Sequence, residues 1–208
     1  MITIYHLGAS QSDRVVWLME ELGLPYQLEV FERNEQGLTP EAYRALHPVA
    51  TAPVIRDGDL VLCESAAIVE YIINRHGGGR LGVTADQHNY ADYLYWSAFA
   101  ASYQSSLLMH VALNAVTASN ERVDHLRVFN DDRVRRYQEH LNARLGEYPY
   151  LAGVEFSGAD ILNVFNLVYW PKSGGAKVDH FDNVAAYIKR IEERPAYQKA
   201  MAIAWPEN

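Results

Sequence analysis

Every run of strand-like residues in this chain precedes the three glycines at positions 77–79, and everything after them is spaced as helix. A chain patterned this way is not one interleaved α/β sheet. Its strands must pair among themselves in a small first domain, and the later helices must bury their apolar faces against one another. The pattern divides the chain into an α/β domain over 1–76, a linker over 77–85 and an all-α domain over 86–208.

Within the first domain, residues 2–7 (ITIYHL) predict a strand. Residues 11–23 predict a helix with Val15, Leu18, Met19 and Leu22 on one face, and 26–30 (YQLEV) a second strand. This is a β-α-β unit, whose crossover is expected to be right-handed. A short helix around PEAYRAL leads to TAPVIRDGDLVLCES, residues 51–65. There Asp57-Gly58 is a strong hairpin signal between Pro53-Val54-Ile55-Arg56 and Asp59-Leu60-Val61-Leu62. Pro53 cannot donate to a sheet, so it belongs at the strand entrance, and the Ala52-Pro53 bond tolerates the cis form. The hairpin runs through Cys63 into Glu64-Ser65 and the helical pattern AAIVEYIINRH. Ser65 therefore falls at a helix N-terminus, where unpaired N–H groups favour anions.

The second domain predicts helices over 86–118, 121–146, 157–170, 180–193 and 195–204, with Thr84 and Gln87 spaced as a capping box ahead of the first. Ser157-Gly158-Ala159-Asp160 has the same spacing, with Phe156 and Ile161 placed as a hydrophobic staple. The nearly uncharged ILNVFNLVYW that follows is expected to form the buried central helix of this domain.

Charge and composition narrow the partners. Eighteen basic against twenty-six acidic residues give a net charge of −8 with no basic block, which argues against nucleic acid or an anionic membrane and for a small substrate. The stretch from Tyr93 to Asn120 is uncharged, but Gln104, His110, Asn114 and several serines interrupt it, so it reads as a buried or interfacial helix and not a membrane span. MITIYHLGAS lacks the basic and apolar regions of a signal peptide and reads as a strand. Cys63 is the one cysteine, consistent with a reducing, cytoplasmic setting; beside Glu64 it reads as a small core residue and not a nucleophile. Eight histidines without HExxH or CxxC companions support no metal site.

The loop LGASQSDR sets Ser10, Gln11 and Ser12 at the start of the first helix, where N–H groups and the helix dipole favour an anion and a serine hydroxyl can donate to it. Ser10-x-x-Asp13 is also a capping-box pattern. The two roles are compatible, because a capping oxygen only accepts and leaves its own proton free.

Taken together, the first-domain pattern, the APV turn, the Glu64-Ser65 pair, the helical second domain and SGAD before a buried helix resemble the cytosolic glutathione transferase family in its bacterial, serine-type branches. The resemblance covers essentially the whole chain. It implies a thioredoxin-like domain followed by an all-helical one, with glutathione as co-substrate. It implies that the backbone at Ala52, Pro53 and Val54 meets the cysteinyl part of glutathione and that Glu64 and Ser65 hold its γ-glutamyl end. Ser10 stands where serine-type members carry the hydroxyl that activates the thiol, with Ser12 as the alternative. Tyr103 and His110 lie on the helix that lines the family's pocket for a small hydrophobic electrophile. One departure is visible: His47-Pro48-Val49-Ala50-Thr51 replaces the frequent Asn-Pro-x-Gly-Lys, removing a lysine contact to the glycine end of the peptide.

The activity implied is conjugation of the glutathione thiolate to an electrophile. Peroxide or disulfide reduction at the same site is the enzymatic alternative, and a non-catalytic binding or regulatory module is the third reading. A homodimer joined through helix 93–118 and the 64–76 helix is expected, because so uncharged a helix carries more apolar surface than one small domain covers.

Overall fold

The structure, a computed structural model, describes residues 1–116 and 120–205. It separates into two compact units, Met1–Gly82 with Glu192–Asn208, and Val83–Ile191. The border after Gly82 falls inside the expected linker. The far end differs from expectation: the last helix belongs to the first unit, not to the helical domain of 86–208.

The first unit is built on four strands, β1 (Ile2–Leu7), β2 (Tyr26–Phe31), β3 (Val54–Asp57) and β4 (Leu60–Cys63), in the order β2-β1-β3-β4. β2 is parallel to β1, while β3 and β4 are antiparallel to their neighbours, as a β-α-β unit followed by a hairpin requires. β1 is central and buried along nearly its whole length, which marks a strand covered on both faces. Tyr5 and Leu7 join Val54 and Cys63 against Tyr43 of the short helix α2 (Glu41–Arg44), with Phe31 edge-on to Tyr43. Ile2, Ile4 and His6 alternate to the other face, toward α1 (Asp13–Leu22).

α1 is buried on more than the one face its apolar spacing predicts, since Asp13, Arg14, Val16 and Trp17 are covered as well. The reason is the last helix, named α8 below (Pro195–Ala204), which packs along α1. Trp17 meets Tyr197 edge-on at 4.9 Å, Arg194 grips Glu21 with both Nε and Nη2, and Lys199 reaches Glu20 at 2.6 Å. Gly23 ends α1 at φ 61°, a left-handed conformation that glycine adopts without a Cβ penalty. The helix after the hairpin, α3, runs from Ser65 to Arg75 as its spacing predicts.

The second unit holds α4 (Tyr90–Ala115), α5 (Glu121–Glu147), α6 (Gly158–Lys172) and α7 (Asp182–Glu192). α4 starts four residues later than expected, because the Thr84–Gln87 pairing closes a turn ahead of the helix: Thr84 N–H donates to Gln87 Oε1 at 2.7 Å. The last two residues of the expected 86–118 helix, 117 and 118, lie outside the described residues. α6 is the buried centre, as predicted. The Ser157/Asp160 capping box forms, and the amides of Asn163 and Asn166 donate to the carbonyls of Trp96 and Ala100 on α4 at 2.7 and 2.8 Å. Among the described residues no helix is long and apolar enough to cross a membrane.

Candidate active site

The topology of the first unit gathers three segments that are distant in sequence. β3 runs antiparallel to β1 with Val54 opposite Tyr5, and β4 runs antiparallel to β3 with Cys63 opposite Val54. The loop after Leu7, the Ala52-Pro53 bond and the Glu64-Ser65 pair therefore all leave the sheet at one end. The Ala52-Pro53 bond is cis. Val54 lies inside the ladder, while Ala52 is half-buried outside any strand. Two helix N-termini, those of α1 and α3, open at this same end, so the helix dipoles there favour negative charge; the first N–H groups of α1 are already paired, Ser12 N–H with Ser10 Oγ and Asp13, Arg14 and Val15 N–H with the carbonyls of Ser10, Gln11 and Ser12.

At the start of α1 the expected capping box does not form. Ser10 Oγ accepts from Ser12 N–H at 3.2 Å, and the Asp13 carboxylate is drawn instead to the indole N–H of Trp205 at 2.7 Å. Ser12 is fully buried, and its hydroxyl lies 2.8 Å from His6 Nδ1, 2.9 Å from Ser10 Oγ, and 3.2 Å from both the N–H and the carbonyl of Leu7. His6 Nε2 lies 3.0 Å from the carbonyl of Ala204, which can only accept, so the ring proton sits on Nε2 and Nδ1 is the acceptor. Ser12 has one proton and two acceptors, His6 Nδ1 at 2.8 Å and the Leu7 carbonyl at 3.2 Å; the shorter contact, to His6, takes it, and with either acceptor the contact between the serines is donated by Ser10. Of the two, only Ser10 retains any exposure, 8% against 0%, and only its hydroxyl can turn to an incoming anion without breaking the bond to His6. Arg33 ties the loop down from outside, donating to the carbonyls of Gly8 and Ala9.

At the start of α3, Ser65 is the first helical residue and Glu64 occupies the cap position without a side-chain capping bond. Ser65 is therefore not the cap of its helix. Its hydroxyl instead accepts from Arg14 Nη1 and donates to Gln11 Oε1, both at 3.1 Å, and Arg14 also donates to Gln11. Gln11 and Arg14 on one helix and Ser65 on another thus form a single polar cluster linking the two N-termini. Glu64 is held at φ 75°, a left-handed conformation that costs a non-glycine residue on the order of 1 kcal/mol and that concentrates at functional sites.

Burial dominates the titration of this region. It pushes Asp13 up to about 7, against the Trp205 bond and the charge of Arg14, and pushes Arg14 down to about 9, against the charge of Asp13. His6 is likewise lowered by burial, its bond to Ala204 opposing. Cys63 is buried and its thiol is raised, by burial and then by the charge of Glu64, which fits a core residue.

The two residues expected to line the electrophile pocket lie on α4 of the second unit. Tyr103 is fully buried within the helical unit, its ring packed against Phe99 and Tyr137. His110 has both ring nitrogens engaged, with Asp131 at 2.8 Å and Asn114 at 3.0 Å. The Tyr103 hydroxyl is buried and has no hydrogen-bond partner among the described residues. Sequence reasoning missed His6, Arg14 and Arg33. A histidine alternating with Ile4 on one strand face, and an arginine directly ahead of the apolar run over 15–19, are the signals that mark the first two.

Comparison with known proteins gives the family. The model for the glutathione S-transferase N-terminal domain matches residues 9–75, and that for the C-terminal domain matches residues 105–195. Glutathione S-transferase 4 of Zea mays is 30% identical over 89% of this chain and 85% of its own. Glutathione S-transferase GstB of Escherichia coli is 28% identical over 98% and 99%. A glutathione S-transferase structure from Actinobacillus pleuropneumoniae superimposes with a TM-score of 0.88 at 31% identity, covering 98% of this chain and 93% of that one. A Pseudomonas fluorescens family member with two glutathiones bound shares the fold at a TM-score of 0.75 and 21% identity, over 96% and 92%.

Proposed function

This chain belongs to the glutathione S-transferase family, and on that premise we propose that it is a serine-type transferase, in which Ser10 stabilises the glutathione thiolate for attack on a small hydrophobic electrophile. The observation that carries this is the hydroxyl arrangement at the start of α1, where Ser12 is committed to His6 and Ser10 remains free to turn outward. An ordinary thiol with a pKa near 8.5 is mostly protonated at pH 7, and the thiolate is the nucleophile. A hydroxyl donor at a helix N-terminus lowers that pKa. The absence of cysteine at position 10 disfavours the reductase alternative. The cysteinyl part of glutathione pairs with backbone beside Pro53, at Ala52 or Val54, in the manner of strand addition. The γ-glutamyl end lies at Glu64 and Ser65, its ammonium toward the Glu64 carboxylate and its carboxylate toward Ser65 and the N–H groups of α3. Retention on glutathione-agarose followed by a conjugation assay with a generic aryl halide tests the activity. Retention without turnover identifies a binding module instead.

Ser65→Ala is expected to weaken glutathione by about 1.5–3 kcal/mol, roughly tenfold to a hundredfold, through loss of a charge-assisted bond. Stability should change less, since Ser65 is not the cap of its helix. Calorimetric titration with glutathione, set beside thermal melts, reads both. Unchanged affinity with a lowered melting temperature would reduce Ser65 to a structural residue.

A cytoplasmic homodimer is the assembly this reading favours. On α4, Leu94, Tyr95, Leu108 and Met109 are each at least 50% exposed, on a helix whose opposite stripe is buried. These side chains, with the helix over 64–76, are proposed as the contact between copies. Sedimentation at micromolar concentration should give twice the 23.6 kDa chain mass, and a persistent 23.6 kDa species would contradict it.

A further inference from the structure

The bonds at the start of α1 have a direction. His6 Nε2–H is fixed on the Ala204 carbonyl, Ser12 donates to His6 Nδ1, and Ser10 donates to Ser12. Ser10 Oγ already accepts one proton from Ser12 N–H, and the lone pair it has left is free for an approaching proton. A thiol set against Ser10 therefore meets an acceptor first, at the head of a chain of two hydroxyls that ends on the basic nitrogen of a buried imidazole.

We propose that His6 takes up the proton that a bound glutathione thiol gives up, relayed through Ser10 and Ser12. This rests on the reading of Ser10 given above. The S–H proton moves to Ser10 Oγ, the Ser10 proton to Ser12 Oγ, and the Ser12 proton to His6 Nδ1. One S–H and two O–H bonds break while two O–H bonds and one N–H bond form, with no change in oxidation state or net charge. The products are a thiolate and an imidazolium, and the new Ser10 proton lies on the sulfur side, where it donates to the thiolate. One transfer thus both removes the proton and sets the stabilising hydrogen bond.

The groups facing His6 fit this role. From α1, Asp13 Oδ1 lies 3.8 Å from Nδ1 and has no hydrogen-bond partner among the described residues, so it is placed to balance an imidazolium. Its other oxygen is held by Trp205, and Arg14 lies beside it in sequence. From α8, the Ala204 carbonyl holds Nε2 in either charge state, and Tyr197 lies near enough to Asp13 to feel its charge. Burial lowers the basicity of His6 whatever the source of the proton, so the imidazolium depends on the Asp13 carboxylate beside it to form. His6 acts here through the two serines, as a positioning residue for the thiol proton.

The test counts protons. Glutathione is added to the intact protein in weak buffer with a pH indicator, while thiolate is followed by ultraviolet absorbance. With the relay, thiolate appears with well under one proton released per thiolate. In His6→Gln, which keeps a donor for Ala204 but no basic nitrogen, and in Ser12→Ala, the thiolate that forms should release close to one proton. Histidine nitrogen NMR on the unmodified protein adds an independent reading. His6 should take on an imidazolium signature with glutathione but not with S-methylglutathione, which has no thiol proton. Should both variants fail to fold, the unmodified protein still decides. A full proton released per thiolate, or a His6 that stays neutral, overturns the relay and leaves Ser10 as a simple donor. Failure to form any bound thiolate overturns the transferase reading and the relay with it.

Discussion

Replacing Ser10 with alanine is expected to slow conjugation at neutral pH on the order of 100-fold, the scale of removing one preorganised donor from a developing anion. The bound thiol should titrate at higher pH, glutathione affinity should stay comparatively intact, and the deficit should shrink as alkaline solution ionises the thiol unaided. That recovery separates activation from support. Ser10 Oγ also accepts from Ser12 N–H, and losing such a bond costs about 1 kcal/mol of stability at every pH without moving a thiol's titration. Ser12→Ala behaves differently. It strips the acceptor from Leu7 N–H and the donor from His6, so it should destabilise the fold more than Ser10→Ala does. Ultraviolet titration of the bound thiol in both variants assigns the role. An unchanged titration in Ser10→Ala with a raised one in Ser12→Ala would transfer it to Ser12. No change in either would leave the helix dipole and backbone N–H groups as the activators.

Residues whose structure is set by near neighbours were legible in the sequence. The Asp57-Gly58 hairpin, the helix beginning at Ser65, the Ser157-x-x-Asp160 box and the 195–204 helix each formed where local spacing put them. What the spacing cannot carry is the partner of a helix. α8 has ordinary helical periodicity, yet it joins α1 through Trp205 and Asp13, 192 residues apart, and through Arg194 and Glu21, 173 apart. That docking is also why the Ser10-x-x-Asp13 pattern misled. A capping box needs the carboxylate to fold back on its own helix start, but the Trp205 indole offers it a partly buried hydrogen bond, and His6 takes the Ser12 hydroxyl. Glu64-Ser65 shows the converse. The pair was visible as a helix start, but its departure from capping appears only once Arg14 and Gln11 stand opposite it.

The largest loss of stability is expected far from this site, at Asp160. Its carboxylate is fully buried and accepts four bonds: Leu151 N–H at 2.9 Å and Tyr187 O–H at 3.0 Å on one oxygen, Ser157 N–H at 2.9 Å and Ser157 O–H at 3.2 Å on the other. Burial raises its pKa and these four donors oppose the rise. Asp160→Ala leaves several donors buried without an acceptor, each costing about 1–3 kcal/mol before relaxation. After relaxation a net loss of about 3–5 kcal/mol is expected, as for removing one side of a buried charged network. For a chain of this size that lowers the melting temperature by about 6–20 °C. Asp160→Asn should cost less, because one oxygen survives while the amide N–H₂ confronts the donors of the other. Tyr187→Phe removes one donor and leaves three, and should cost about 1.5–3 kcal/mol. Denaturant unfolding of the three variants gives the order Ala worse than Asn, with Phe mildest. If Asp160→Ala were no worse than Tyr187→Phe, the four bonds would not act together, and α6 would hold its place in the helical unit by apolar packing and the Asn163 and Asn166 bonds alone.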